Sequence, residues 1–168
     1  MKTANVAPLR TIDGEGRNET ALERCDRNLV ECLQEVRVVQ TGVQVLFAFL
    51  LTAPLAARFD TLDSFQRLDY FATLLATGAA AVLLIAPTAY HRVLFRLGDK
   101  EHLVQVANRF TLAGLVFVAL SMLGALLLVT DLLFSGAVVV PTIVVAALGI
   151  AVTWCLLPLR RRARFRRP

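Results

Sequence analysis

Arg37, Gln40, Thr41 and Gln44 stand at the start of a long apolar run, in the stretch "VRVVQTGVQVLFAFLL" of residues 36–51. On a helix, Arg37, Gln40 and Gln44 fall at i, i+3 and i+7 and share one face, with Thr41 beside it. If hydrocarbon begins at Val38, Gln44 lies about 9 Å inside it at 1.5 Å per residue. Lipid offers an amide no partner, so this face must meet protein or water. Three chemistries suit it. The amides can bond neighbouring helices or symmetry mates. They can line a water-filled path, where amide dipoles replace an ion's hydration shell beside an arginine at the mouth. They can also hold a ligand or a lipid headgroup.

A second group, Tyr90, His91, Arg92 and Arg109, marks the cytoplasmic mouth of such a path. Tyr90 suits an interfacial anchor and the arginines suit snorkelling or lipid contacts. His91 and His102 have no third ligand at a metal-binding spacing, so no metal site is expected. Arg160, Arg161, Arg162, Arg164, Arg166 and Arg167 surround Phe165 directly after an apolar run. Each arginine near an anionic leaflet contributes about 1 kcal/mol, so lipid headgroups are the expected partners and nucleic acid is not. Phosphate loops, nucleophile elbows and metalloprotease spacings do not occur, and neither an enzyme nor a cofactor is expected. Coupled proton exchange calls for a titratable group within a span. Asp69 and Asp131 lie at the outer edges instead.

The elements that position these residues follow from composition. Of 168 residues, 57% are hydrophobic and 18% charged, and the charges are gathered in blocks. Four segments can cross roughly 30 Å of hydrocarbon: about residues 38–57, 71–90, 110–130 and 137–159. They lack the regular polar positions of water-soluble bundle helices, and the first is too long and too far along the chain for a signal sequence. Lysine and arginine number six in residues 1–37, two in 58–68, four in 91–109, none in 131–136 and six after residue 159. This bias predicts a multi-pass protein of the cytoplasmic membrane with both termini in the cytoplasm. Cys25, Cys32 and Cys155 form no disulfide framework and should be reduced thiols.

The fold expected is all-α: a four-span transmembrane helical bundle with an N-terminal cytoplasmic helix continuous with the first span. Residues 1–18 read as flexible, 19–159 as the transmembrane domain and 160–168 as an arginine-rich tail. Leu22, Cys25, Leu29, Cys32, Val36, Val39, Val43, Leu46 and Leu50 alternate spacings of three and four, a seam running unbroken into the first span. Either copies of this segment or the connection between the second and third spans should cover it. In that connection Leu94 and Leu97 extend the second span, Gly98 breaks it and Asp99 caps the next helix. Ala76 with Ala80, and Ser121 with Ala125, offer close helix packing, and Pro87 a kink.

The segments "LQEVRVVQTGVQVLFAFLLTAPLAARF", "QRLDYFATLL" and "LLIAPTAYHRVLFR" resemble a family of small actinobacterial integral membrane proteins of unknown function. The resemblance covers roughly residues 29–131. It implies a four-helix bacterial membrane protein, and members often carry the label sodium:proton antiporter. Positions carried over are Arg37, Gln40, Thr41, Gly42 and Gln44, with Tyr90, His91 and Arg92. The leading expectation is a homo-oligomer whose first helices meet along the seam and place the polar stripe around an ion channel or pathway. The alternative is a structural or accessory subunit binding a membrane protein partner. Antiport stands third.

Overall fold

The computed structural model describes residues 11–12, 18–56, 59–93, 100–134 and 136–165. Four helices in it are long and apolar enough to cross a membrane, and they make an all-α bundle. They are α1, Ala21–Thr52; α2, Ser64–Val93; α3, Lys100–Leu133; and α4, Gly136–Ile150, which continues through a π-helical turn, Ala151–Leu156, into α5, Leu157–Phe165. The 32 residues of α1 and 34 of α3 measure about 48 and 51 Å, so each exceeds a hydrocarbon core of about 30 Å and projects beyond it.

A reciprocal cap starts α1. The Glu23 amide donates to Thr20 Oγ1 at 3.2 Å, and Glu23 Oε2 accepts from the Thr20 amide at 2.7 Å and its hydroxyl at 2.9 Å. Amides without helical partners are thus satisfied where the helix begins. Just before it, β1 (Thr11–Ile12) pairs antiparallel with β2 (Asn18–Glu19). Part of the segment expected to be flexible is therefore held in a short ladder beside the cap.

The seam continues into α1 as the spacing predicts, and its cover comes from within the chain. Val36, Val43 and Leu50 are 1%, 4% and 3% exposed. Val36 and Val43 pack with Ala80 and Leu84 of α2 and Val118 of α3. One turn earlier, Leu33 packs against Leu103 and Ala107 of α3 beside Tyr90. Where the leading expectation had copies of the chain meeting along the seam, Val36, Val39 and Val43 are packed against α2 and α3 of the same chain, and Leu50 is buried beside them. The side chains of Leu22, Cys25, Leu29 and Cys32 lie outside the described residues, as do Leu94, Leu97, Gly98 and Asp99.

The tightest contact is between α2 and α3. Tyr70, Thr73, Thr77, Ala80, Leu84 and Pro87 alternate steps of three and four and are all buried. Two glycines of α3 receive this ridge. A methyl at Gly114 would sit 2.8 Å from Leu84 Cδ2, and one at Gly124 would collide with the Thr73 hydroxyl. Ala80 and Ser121 are buried as the small-residue spacing predicts, although the notches are cut by the glycines. Absent side chains let two backbones approach where lipid supplies no hydrophobic drive between helices. Pro87 lies inside α2, which runs on to Val93.

The end opposite Thr20 is closed by polar bonds. The Gln66 amide N–H donates to Asp63 Oδ1 at 2.8 Å and the Asp63 N–H to Gln66 Oε1 at 3.2 Å, a second reciprocal cap. Gln66 Nε2 also donates to Asp131 Oδ2 of α3 at 2.9 Å. Arg67 donates to the carbonyls of Leu62 and Asp60, holding the loop over the helix start.

Returning along the bundle, α4 packs principally on α3, and Val139 is its single buried residue. The π turn precedes Pro158. Proline has no N–H for the Trp154 carbonyl, and the Leu157 N–H reaches Val152, five residues back.

Candidate functional site

With the seam turned inward, α1 presents its other side outward. Arg37, Thr41 and Gln44 are exposed, and Gln40 is half-buried at the edge of the packed face. Gln34, Ala48 and Thr52 are exposed as well, and at about 100° per residue they fall in line with Arg37, Thr41 and Gln44. The line runs roughly 100 to 180° round the helix from the buried seam. From Arg37 to Thr52 it is about 22 Å long, most of the depth of a hydrocarbon core.

The hydroxyls on this line are spent locally. Thr41 Oγ1 donates to the Arg37 carbonyl at 3.0 Å and Thr52 Oγ1 to the Phe49 carbonyl at 2.9 Å. The amides are not: no hydrogen bond among the described residues involves the side chain of Gln40 or Gln44. Arg37 has no acid within helical reach either, since positions 33, 34, 40 and 41 hold Leu, Gln, Gln and Thr. Val38, Val45 and Phe49 flank the stripe on one side and Leu51 on the other, all exposed.

The contrast with the neighbouring helices gives the stripe its meaning. Large outward side chains of α2 and α3 within the spans are hydrocarbon: Phe71, Leu75, Val82 and Ile85 on α2, and Leu112, Val116, Leu120, Met122 and Val129 on α3. Those faces match acyl chains. An outward glutamine does not, because its donors and acceptor have neither water nor protein within the subunit. The line on α1 can therefore coat a water-filled path or bond another chain. Gly42 is exposed with open space where a Cβ would project.

The second group of predicted residues is only partly gathered. Tyr90 is half-buried against Leu103 and Ala107, a packed residue of the helical layer at the Thr20 end. His91 is half-buried, while Arg92 and Arg109 are exposed at that same end. The His102 side chain lies outside the described residues. Arg160, Arg161, Arg162 and Arg164 are exposed on α5, and Arg166 and Arg167 are outside the description. Arg160, Arg161 and Arg164 lie beside Leu157 around one open surface of α5. Among the described residues no three histidine, cysteine or acidic side chains gather at metal-binding distance.

One polar centre was not anticipated. Where α2 begins and α3 ends, Asp69 and Asp131 lie within electrostatic reach of each other, Asp131 held by Gln66. Asp69 Oδ2 is buried without a hydrogen-bond partner. The sequence places each carboxylate at the edge of its own span, and 62 positions separate them. Ala48 and Thr52 were missed for another reason: alanine and threonine do not stand out in an apolar run until the buried side of the helix is known.

Fold and site together define an all-α protein with four helices long and apolar enough to cross a membrane and a polar stripe on the outer face of the first. The chain belongs to a family of unknown function, DUF6328, which matches residues 18–158. The match reaches beyond the expected 29–131 to take in the Thr20 cap and α4. No curated protein and no solved structure matches the chain.

Proposed function

We propose that the protein is a homo-oligomeric ion channel of the bacterial cytoplasmic membrane, with the outer face of α1 lining the pathway. The supporting observation is the exposed line Arg37, Thr41, Gln44, Ala48 and Thr52, polar or small at every turn through the span. In an oligomer with α1 inward, Gln44 would face water or a partner's Gln44, while Val45, Phe49 and Leu51 would meet neighbouring subunits. Both termini lie in the cytoplasm in this reading, as the distribution of lysine and arginine requires. Arg37 then stands at the cytoplasmic mouth. The arginines of α5 hold that end to anionic headgroups.

The test is ion flux through purified protein in liposomes. Gln44→Leu should alter the flux severalfold, and protein that passes no ion across a range of voltages, pH values and salts would defeat the proposal.

A second reading, an accessory subunit binding another membrane protein, is favoured by α4, most of whose surface is exposed. Purification from native membranes distinguishes it, because an accessory subunit should bring one partner at fixed stoichiometry. Sodium:proton exchange draws less support, since Asp69 and Asp131 lie at the ends of their spans. Sodium-dependent proton movement in vesicles would be its signature.

A further inference from the structure

Resting on the channel reading, we infer that the pathway along α1 conducts small monovalent anions, with Arg37 as the charge that selects them. The stripe from Gln34 to Thr52 contains one ionised side chain, Arg37, and no carboxylate. Its other polar groups are amides and hydroxyls. The hydroxyls of Thr41 and Thr52 are turned onto their own helix, so the free donors along the line are the Gln34 and Gln44 amides and the Arg37 guanidinium. A path lined in this way can hydrogen-bond an anion as it loses water, and a cation would face several guanidinium groups with no compensating acid.

The carboxylates of α1 are placed elsewhere. Glu31 accepts from Arg27 Nη1 at 3.3 Å. Glu31 and Glu35 lie roughly 90° and 130° round the helix from the stripe. Asp26 and Glu23 share the stripe's side but precede Arg37 by 11 and 14 positions, about 16 and 21 Å, beyond a Debye length of about 8 Å at physiological salt. Basic side chains at the same end of the bundle outnumber the acids there among the described residues. Arg92 and Arg109 are exposed there, as are the arginines of α5. A net excess of one sign at a pore mouth raises the local concentration of the opposite ion. Asp60 and Asp63 are exposed at the far end, beyond the last residue of the stripe, with Arg67 beside them.

The experiment is the reversal potential of full-length protein in planar bilayers under a potassium chloride gradient. Wild type should reverse toward the chloride equilibrium potential. Arg37→Lys should keep that sign, Arg37→Gln should move the potential toward zero, and Arg37→Glu should invert it. Size-exclusion elution of each variant in detergent confirms that it has folded and assembled. A wild-type potential on the potassium side, or one that ignores the charge at position 37, overturns anion selection while leaving the channel intact. A bilayer that passes no current with any salt overturns both the channel and its selectivity.

Discussion

The phenol of Tyr70 donates a 2.7 Å hydrogen bond to the Leu50 carbonyl, tying the start of α2 to the last turn of α1. Phe59 meets the same ring edge to face, centroids 5.0 Å apart at 80°. One side chain thus joins two helices and the loop between them. The Leu50 carbonyl also accepts from the Ala53 amide, so losing the phenol leaves it one bond. Tyr70→Phe should destabilise the protein by about 1 kcal/mol, since ring packing survives and only the buried bond is removed. Denaturant unfolding in detergent micelles measures this; unchanged stability would show that the bond is incidental.

Gly114→Ala should cost about 1 to 3 kcal/mol. The new methyl meets Leu84 Cδ2 at 2.8 Å and Cγ at 2.9 Å, and Leu84 is fully buried among Val36, Val43 and Val118. Gly42→Ala, where nothing lies within 4 Å, is the control and should be neutral or slightly stabilising because alanine favours helix. Equal thermal midpoints for the two would deny the close approach of α2 and α3.

Thr20→Ala removes the side-chain half of the α1 cap, since Thr20 Oγ1 accepts from the Glu23 amide and donates to Glu23 Oε2, while the bond from the Thr20 backbone N–H to Glu23 Oε2 can persist. The loss should be about 1 kcal/mol and confined to the first turns. Hydrogen exchange of the amides after residue 20 should quicken roughly fivefold, with those near Val43 unchanged.

Asp69→Asn should stabilise the bundle by about 1 kcal/mol. The substitution replaces a half-buried carboxylate, with an unpartnered Oδ2 and Asp131 nearby, by a neutral amide of the same shape. Asp131→Asn should gain less, because the Asp131 carboxylate accepts a 2.9 Å bond from Gln66. If unfolding shows Asp69→Asn the weaker protein, the carboxylate has a role the bundle itself does not explain.

Gln44→Cys, in a chain with Cys25, Cys32 and Cys155 changed to serine, should form disulfide-linked dimers in native membranes under mild oxidation. Leu75→Cys, exposed on the hydrocarbon face of α2, should remain monomeric. Cross-linking at position 75 but not 44 would mean that copies meet through another face.

The spans, the long first helix and the spacing of its seam were legible in the chain because each depends on local periodicity. A run of about 20 apolar residues has one way to satisfy its backbone in lipid, and steps of three and four keep Val36, Val43 and Leu50 on one side of a helix wherever it packs. The polar stripe was legible in part: Arg37, Gln40 and Gln44 announce themselves by side-chain type, whereas Ala48 and Thr52 join the line only when the opposite side is seen to be buried. The glycine notches and the Asp69 and Asp131 pair were not legible, because each is made by residues of two helices.

Sequence alone determined that the chain is helical, that it is apolar enough to cross a membrane, and that amides enter the first apolar run, since these are properties of single segments and their solvent. Only the tertiary structure decided that α2 and α3 cover the part of the seam around Val36 and Val43. That choice depends on notches at Gly114 and Gly124 that let α2 and α3 close together and offer α1 a surface. Because a helix has one circumference, burying the seam there turns Arg37, Thr41 and Gln44 outward.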